Sequence, residues 1–269
     1  MTTEPPPLVS DHDVRANRRR AATTCALGAV SPSLVVGVVL GLAVSTLAGV
    51  IGAAGLFVLL MVSIPRIATR IALLVIGARP LGDDELPRLQ NLVDGLCPTF
   101  GLRRPTLMAL DEALPNACSV GSGPDHGVLV VTTGLEAVLD LIELEGVVAH
   151  ELSHLKRSDV VVSSVAVAVL APFIWISGSD RLLHRVLGTG RELLADKVAV
   201  RAVRYPPGLC AALEKFEAMG EPEAGSLFAR RRLAMSRWLW IDPAVGRRGE
   251  HALGDLDLTS VRVGALAEA

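Results

Sequence analysis

The sequence predicts a mainly helical α+β chain, with an N-terminal transmembrane helical hairpin followed by a larger domain that carries a small β-sheet. Three observations lead there. The 269 residues are 51% hydrophobic and only 20% charged, with a mean hydropathy of +0.47, whereas a soluble domain carries roughly 25% charged residues. One block, Ala21 to Pro65, runs for 45 residues without a charge. Beyond it, apolar residues recur at helical spacing in some stretches and in short turn-bounded runs in others. An aliphatic-rich composition of this kind excludes a disordered chain. A net charge of −2 without a basic stripe argues against a nucleic-acid partner, and no nucleotide partner is expected. Cys25, Cys97, Cys118 and Cys210 are scattered without CxxC spacing, as small hydrophobes of a reducing compartment are.

At the N-terminus, residues 1–20 are polar and carry the cluster Arg15, Arg18, Arg19 and Arg20; they read as a cytoplasmic basic segment. Residues 21–66 read as the two-helix transmembrane hairpin. A bilayer core of about 30 Å needs about 20 apolar residues per helix, so the uncharged block holds two spans and a tight turn, placed near Ser45–Gly49. It is too long for the apolar core of a signal peptide. Gly28, Gly37, Gly41, Gly49, Gly52 and Gly55 count against one long tilted helix and suit close packing of two. Arginines precede the first span, and Arg66, Arg70 and Arg79 come after the second. Both flanks satisfy the positive-inside rule only if both are cytoplasmic. The expectation is a multi-pass protein of the cell (inner or plasma) membrane, with residues 67–269 forming a cytoplasmic domain.

Within that domain, Leu81, Leu86, Leu89, Leu92, Val93 and Leu96 mark a helix over residues 80–100. Thr106–Leu110, Ala117–Val120 and Val128–Thr132 read as strands, and the Gly-rich stretch 121–127 as a hairpin-type connection. From Gly134 to Leu155 the pattern is helical again, with Leu144, Val148, Leu152 and Leu155 on one stripe.

That last helix contains His150-Glu151-Leu152-Ser153-His154, an HExxH sequence. Residues four apart project from one face, so both imidazoles can reach a single Zn²⁺ while Glu151 points toward the water that the ion activates. A chance HExxH in a chain of this size arises at about 1%, so two incidental helix histidines are the weaker reading. A catalytic zinc takes three protein ligands and leaves one position open. Glu192 and Asp196 are again four apart, and Glu192 lies 38 residues beyond His154. Glu192 can serve as third ligand, and Asp196 can accept the free Nδ1–H of a ligating histidine. A lone ExxxD is more often a solvated acidic face; beside HExxH the balance reverses.

Four stretches resemble the M48 family of zinc metallopeptidases, the group of HtpX-like and CAAX prenyl membrane proteases. Leu114–Gly121 (LPNACSVG) is similar to the family's "PNAfatG" segment, and Val131–Leu135 (VTTGL) to its "vtxGLl". Glu143–His154 (ELEGVVAHELSH) is close to "ElegVlaHElsH". Glu192–Asp196 (ELLAD) fits "ExxAD", and Leu209–Phe216 resembles the family's next helix. The likeness covers roughly residues 80–220. It implies a zincin-type (gluzincin) metallopeptidase domain holding one zinc ion, with His150, His154 and Glu192 as ligands, Glu151 as general base and Asp196 as partner of a ligand. It also implies that Asn116, Ala117 and Cys118 hold an extended substrate by backbone pairing at a strand edge, a role that strand packing alone would equally explain.

The sequence departs from the family in two places. Nothing after Arg230 supplies the "THP" segment, and Leu256–Leu266 resembles only the remainder of that region. Where HtpX-like members have a second pair of spans, this chain has only the 20 uncharged residues Val160–Ser179. A single crossing would part the histidines from Glu192 across the membrane. Residues 160–179, broken by Pro172 and Gly178, are therefore expected as a buried or membrane-surface helix. His126 reads as a solvated loop residue, His12, His184 and His251 lack metal-like spacing, and Trp175, Trp238 and Trp240 read as packing or membrane-interface residues.

The function expected is a membrane-bound zinc endopeptidase acting on protein or peptide substrates at the membrane. A dedicated protease for a precursor peptide or a lipidated tail is the alternative within that class. A scaffold with structural zinc would close the ion with four protein ligands, and a transporter would place polar residues within its spans.

Overall fold

Ser45 sets the hairpin turn. Its hydroxyl accepts from the Ala48 N–H at 3.2 Å, starting α2 (Thr46–Ile76) only two residues after α1 (Asp11–Ala43) ends. The computed structural model describes residues 7–173, 175–176, 179–219, 235–242 and 259–268. Both helices extend beyond the uncharged block: α1 takes in the arginine cluster, and α2 continues through Pro65 to Ile76. Their seam is built of small residues. A Cβ on Gly49 would stand 2.5 Å from the Gly37 carbonyl, so this backbone approach requires glycine. Leu34, Val38, Leu42, Leu47, Val50 and Leu59 stay exposed along the hairpin, as lipid-facing residues would be. At the foot of the pair, Asn17 donates to the Arg157 carbonyl at 3.0 Å and Arg20 to that of Leu187 at 2.9 Å.

The sheet has four strands in the order β1 (Arg79–Pro80), β2 (Thr106–Leu110), β4 (Gly127–Thr132), β3 (Ala117–Gly121). β2 and β4 run parallel; the other two pairings are antiparallel. All residues of β3 and β4 are buried because both faces of the sheet are covered. Leu129 and Val131 pack with Val148, Leu152 and Leu155 of α5 (Leu141–Arg157) on one side. Val120, Val128 and Val130 pack with Ala72 of α2 and Ala166 and Leu170 of α6 (Asp159–Leu170) on the other. Burial on both faces explains why β4 reads as an unbroken apolar run.

Residues 160–170 form a buried helix. At 1.5 Å per residue the 12-residue α6 spans about 18 Å, short of a bilayer core of about 30 Å. Its side chains Val165 and Ala168 pack with Cys25 of α1 and Ala68 of α2. A 3-10 turn, Ala171–Phe173, ends it at Pro172 and leaves Phe173, Trp175 and Ile176 exposed. Among the described residues the remaining α-helices are α3 (Pro87–Phe100), the short α4 (Leu135–Val138), α7 (Ser179–Leu187), α8 (Arg191–Val203), α9 (Pro206–Met219) and α10 (Thr259–Ala267).

Candidate metal centre and active site

The capping box of α5 fixes the helix that carries HExxH. Asp140 accepts from the Ile142 and Glu143 N–H groups at 2.9 Å, and Glu143 accepts from the Asp140 N–H at 2.8 Å. Lys215 on α9 then binds Glu143 at 2.6 Å. Gly146 lets α9 lie close, since a Cβ there would stand 2.9 Å from the Leu209 nitrogen. The helix is sealed between α9 and the sheet, and His150, Glu151 and His154 are all buried.

Three ligand atoms converge. The His150 and His154 Nε2 atoms lie 3.0 Å apart, and the Glu192 Oε2 lies 3.0 Å from the first and 3.4 Å from the second. The opposite edge of each ring is already engaged. His150 Nδ1 is 2.7 Å from Asp196 Oδ1, and His154 Nδ1 is 3.0 and 3.1 Å from the two oxygens of Asp159. Burial alone would push both aspartates up. The Arg262 guanidinium outweighs it at Asp196, and His154 at Asp159, so both stay below the usual carboxylate range. Ionised carboxylates only accept, so each Nδ1 carries a hydrogen and each Nε2 is the ring nitrogen turned toward Glu192.

Two imidazole lone pairs and a carboxylate oxygen within 4.8 Å of one another repel unless a cation sits among them. The titration behaviour points the same way. Burial pulls His154 down, yet Asp159 and Glu192 overcome it and hold its pKa up at about 10, so a proton occupies its Nε2 until a metal displaces it. For Glu192, Arg191 and His154 override burial and keep the carboxyl well below its usual range. Two nitrogens, one carboxylate oxygen and supporting carboxylates behind both histidines fit a zinc ion.

Glu151 stands apart from this set. Its Oε2 is 2.7 Å from the Ser119 hydroxyl on β3. Burial pushes its carboxyl up, with His150, His154 and the Ser119 hydrogen bond pulling against it. A carboxylate with raised proton affinity is suited to general-base work.

All the predicted ligand-set residues meet in one place. Sequence reasoning missed Asp159, Ser119 and Arg262. Asp159 marked only the edge of an uncharged run, although a carboxylate five residues after the second histidine is itself a signal. Ser119 lies in a strand that shows its proximity to α5 only after folding. Arg262 belongs to α10, 66 residues beyond the Asp196 that it binds. Its guanidinium is fully buried and holds the Asp196 oxygens at 2.7 and 2.8 Å, and it donates to the Ile241 carbonyl at 2.6 Å.

The strand edge of Asn116, Ala117 and Cys118 is covered by the chain itself. Trp240 bridges Cys118 in antiparallel fashion, the Ile241 N–H donates to the Ala117 carbonyl at 2.8 Å, and Asn116 Nδ2 donates to the Asp242 carbonyl at 2.8 Å. Burial raises the Cys118 thiol well above its usual range, with Glu151 adding to it, so this cysteine is inert. His12 and His126 are exposed; Trp238 and Trp240 are buried, and Trp175 is exposed. His251 lies outside the described residues.

Residues 84–237 match peptidase family M48. The chain is 35% identical over 184 residues to a Protease HtpX homolog of Dictyoglomus thermophilum, covering 54% of this chain and 59% of that protein. It is 32% identical over 213 residues to one from Tropheryma whipplei, covering 66% of this chain and 70% of that one. With Protease HtpX homolog 1 of Streptomyces coelicolor it shares 35% over 178 residues, again 54% of this chain and 59% of the relative. Aligned against two of these three relatives, then, the chain spans less than two thirds of their length. On the family match, which takes in more than half of its residues, the chain belongs to peptidase family M48.

Proposed function

We propose that this chain is a membrane-bound zinc endopeptidase that cuts membrane-associated proteins or peptides at the cytoplasmic surface. The observation that carries the reading is the convergence of His150, His154 and Glu192, each with its supporting charge, beside a carboxylate that stands outside the ligand set. His150, His154 and Glu192 hold the metal, which when bound supplies Lewis-acid activation of water and of the scissile carbonyl. Asp196 and Asp159 keep the two rings oriented with Nε2 inward. Glu151 takes the proton from the attacking water and returns it to the leaving amine; its burial raises its proton affinity toward that task. Ser119 holds the Glu151 carboxylate in place at 2.7 Å.

Pairing of an extended substrate with β3 at Asn116, Ala117 and Cys118 requires that Trp240–Asp242, which hydrogen-bond this edge, first withdraw. The hydrogen bond from Asn17 to Arg157 ties the end of α5 to α1 just below the uncharged block, which supports substrates that arrive at the membrane surface. The test is cleavage in proteoliposomes. Purified protein with a membrane-protein substrate in the same bilayer should cut it, lose activity to a chelator and regain it with zinc. Cutting that persists through complete metal removal would overturn the reading.

A further inference from the structure

At the foot of α2 a cavity of about 940 Å³ opens between the hairpin and the domain. Arg66, Thr69 and Arg70 line it from α2; Arg104, Asp125 and His126 line it from the domain. Among the described residues three guanidiniums thus meet one carboxylate, and that carboxylate already faces Arg103 at 3.6 Å. Arg104 is engaged with Asp94 at 2.6 Å. Arg66 uses one nitrogen on the Val62 carbonyl at 2.6 Å, and Arg70 makes no hydrogen bond or ion pair among the described residues. The cavity therefore holds unneutralised positive charge, contributed by elements far apart in sequence.

Its depth suggests what neutralises that charge. From Thr46 to Pro65, twenty residues of α2 rise about 30 Å, the thickness of the hydrocarbon core. Counting back the same distance along α1 from Ala43 reaches Thr24, with Arg20 one turn outside. Both helices put the same level at the interface, and Arg66 is the first charge beyond it. With the hairpin spanning the bilayer, the cavity opens at the level of the lipid phosphates.

We propose that this cavity binds the phosphate group of an anionic phospholipid, with Arg66 and Arg70 engaging it from the membrane helix and Arg104 from the domain. Planar guanidiniums bind phosphate oxygens in pairs, and the Thr69 and Thr106 hydroxyls on the lining can donate to the same group. A lipid held this way seats the peptidase domain on the bilayer. The proposal rests on the reading that α1 and α2 span the membrane.

Native mass spectrometry of the full chain from mixed phosphatidylglycerol–phosphatidylcholine nanodiscs tests it, alongside R66A/R70A and a competition with inorganic phosphate. Wild type should retain phosphatidylglycerol over phosphatidylcholine by about tenfold, and R66A/R70A should lose that preference with its zinc content and melting temperature in neutral lipid unchanged. Equal retention of both lipids, or a preference that survives in R66A/R70A, would overturn the proposal. Displacement of the lipid by millimolar inorganic phosphate would assign the cavity to a soluble phosphoryl ligand and overturn the lipid source. Carbonate-resistant insertion into neutral vesicles separates the two readings: failure to insert removes the hairpin reading and the lipid site together, whereas insertion without headgroup preference removes the lipid site alone.

Discussion

Two imidazole nitrogens 3.0 Å apart, each ring held from behind by an ionised aspartate, form a pair that demands a cation. His150→Ala, His154→Ala and Glu192→Ala should each therefore lose most of the bound zinc, as measured by atomic absorption on purified protein. Full occupancy in Glu192→Ala would remove that residue from the ligand set. Asp196 carries a second burden that its spacing did not reveal, because its carboxylate also neutralises the buried Arg262. Asp196→Asn should weaken zinc affinity about 10–100-fold and also destabilise the fold, since stripping one partner from a buried ion pair costs about 3–5 kcal/mol. Adding Arg262→Met should restore much of the melting temperature while leaving zinc affinity low. If Arg262→Met restored zinc binding as well, Asp196 would be acting on the fold and not on His150.

At the scale of elements, the turn between α5 and α6 is the point of tension. Ser158 sits there with φ of 59°, in the left-handed region, as C-cap of α5. This reversal brings Asp159 back under His154. A β-branched residue resists that conformation, so Ser158→Val should lower stability by about 1–2 kcal/mol and weaken zinc binding with it, whereas Ser158→Gly should retain both. Thermal melts with and without chelator measure the two effects; a Ser158→Val protein indistinguishable from wild type would show that the turn is not what aims Asp159. Elements near the site differ in how legible they were. The helix bearing HExxH, the strands and the third-ligand helix can be read from local periodicity and motif spacing. The Trp240–Asp242 pairing on β3 and the Arg262 contact cannot, because they join segments distant in sequence and have no local pattern. α6 sits between these cases: its apolar run was plain, but its packing on α1 and α2 joins segments distant in sequence and has no local pattern.

For the whole molecule, the hairpin and the peptidase domain work as one piece. The contacts of Asn17 and Arg20 with the ends of α5 and α7 tie the hairpin to the helix that carries HExxH. The arginines at both feet of the hairpin favour the proposed orientation, with the domain in the cytoplasm. Single cysteines at positions 90 and 220, in a background without native thiols, should resist an impermeant reagent applied to intact cells and react after permeabilisation; labelling from outside would reverse the orientation. On the proposed mechanism the ligands hold the metal while Glu151 only moves the proton, so one substitution separates the two roles. That division is tested most directly by measuring zinc content and substrate cleavage together in Glu151→Gln. Zinc at the wild-type level with turnover abolished is the predicted result; loss of zinc in Glu151→Gln, or cleavage at the wild-type rate, would contradict it.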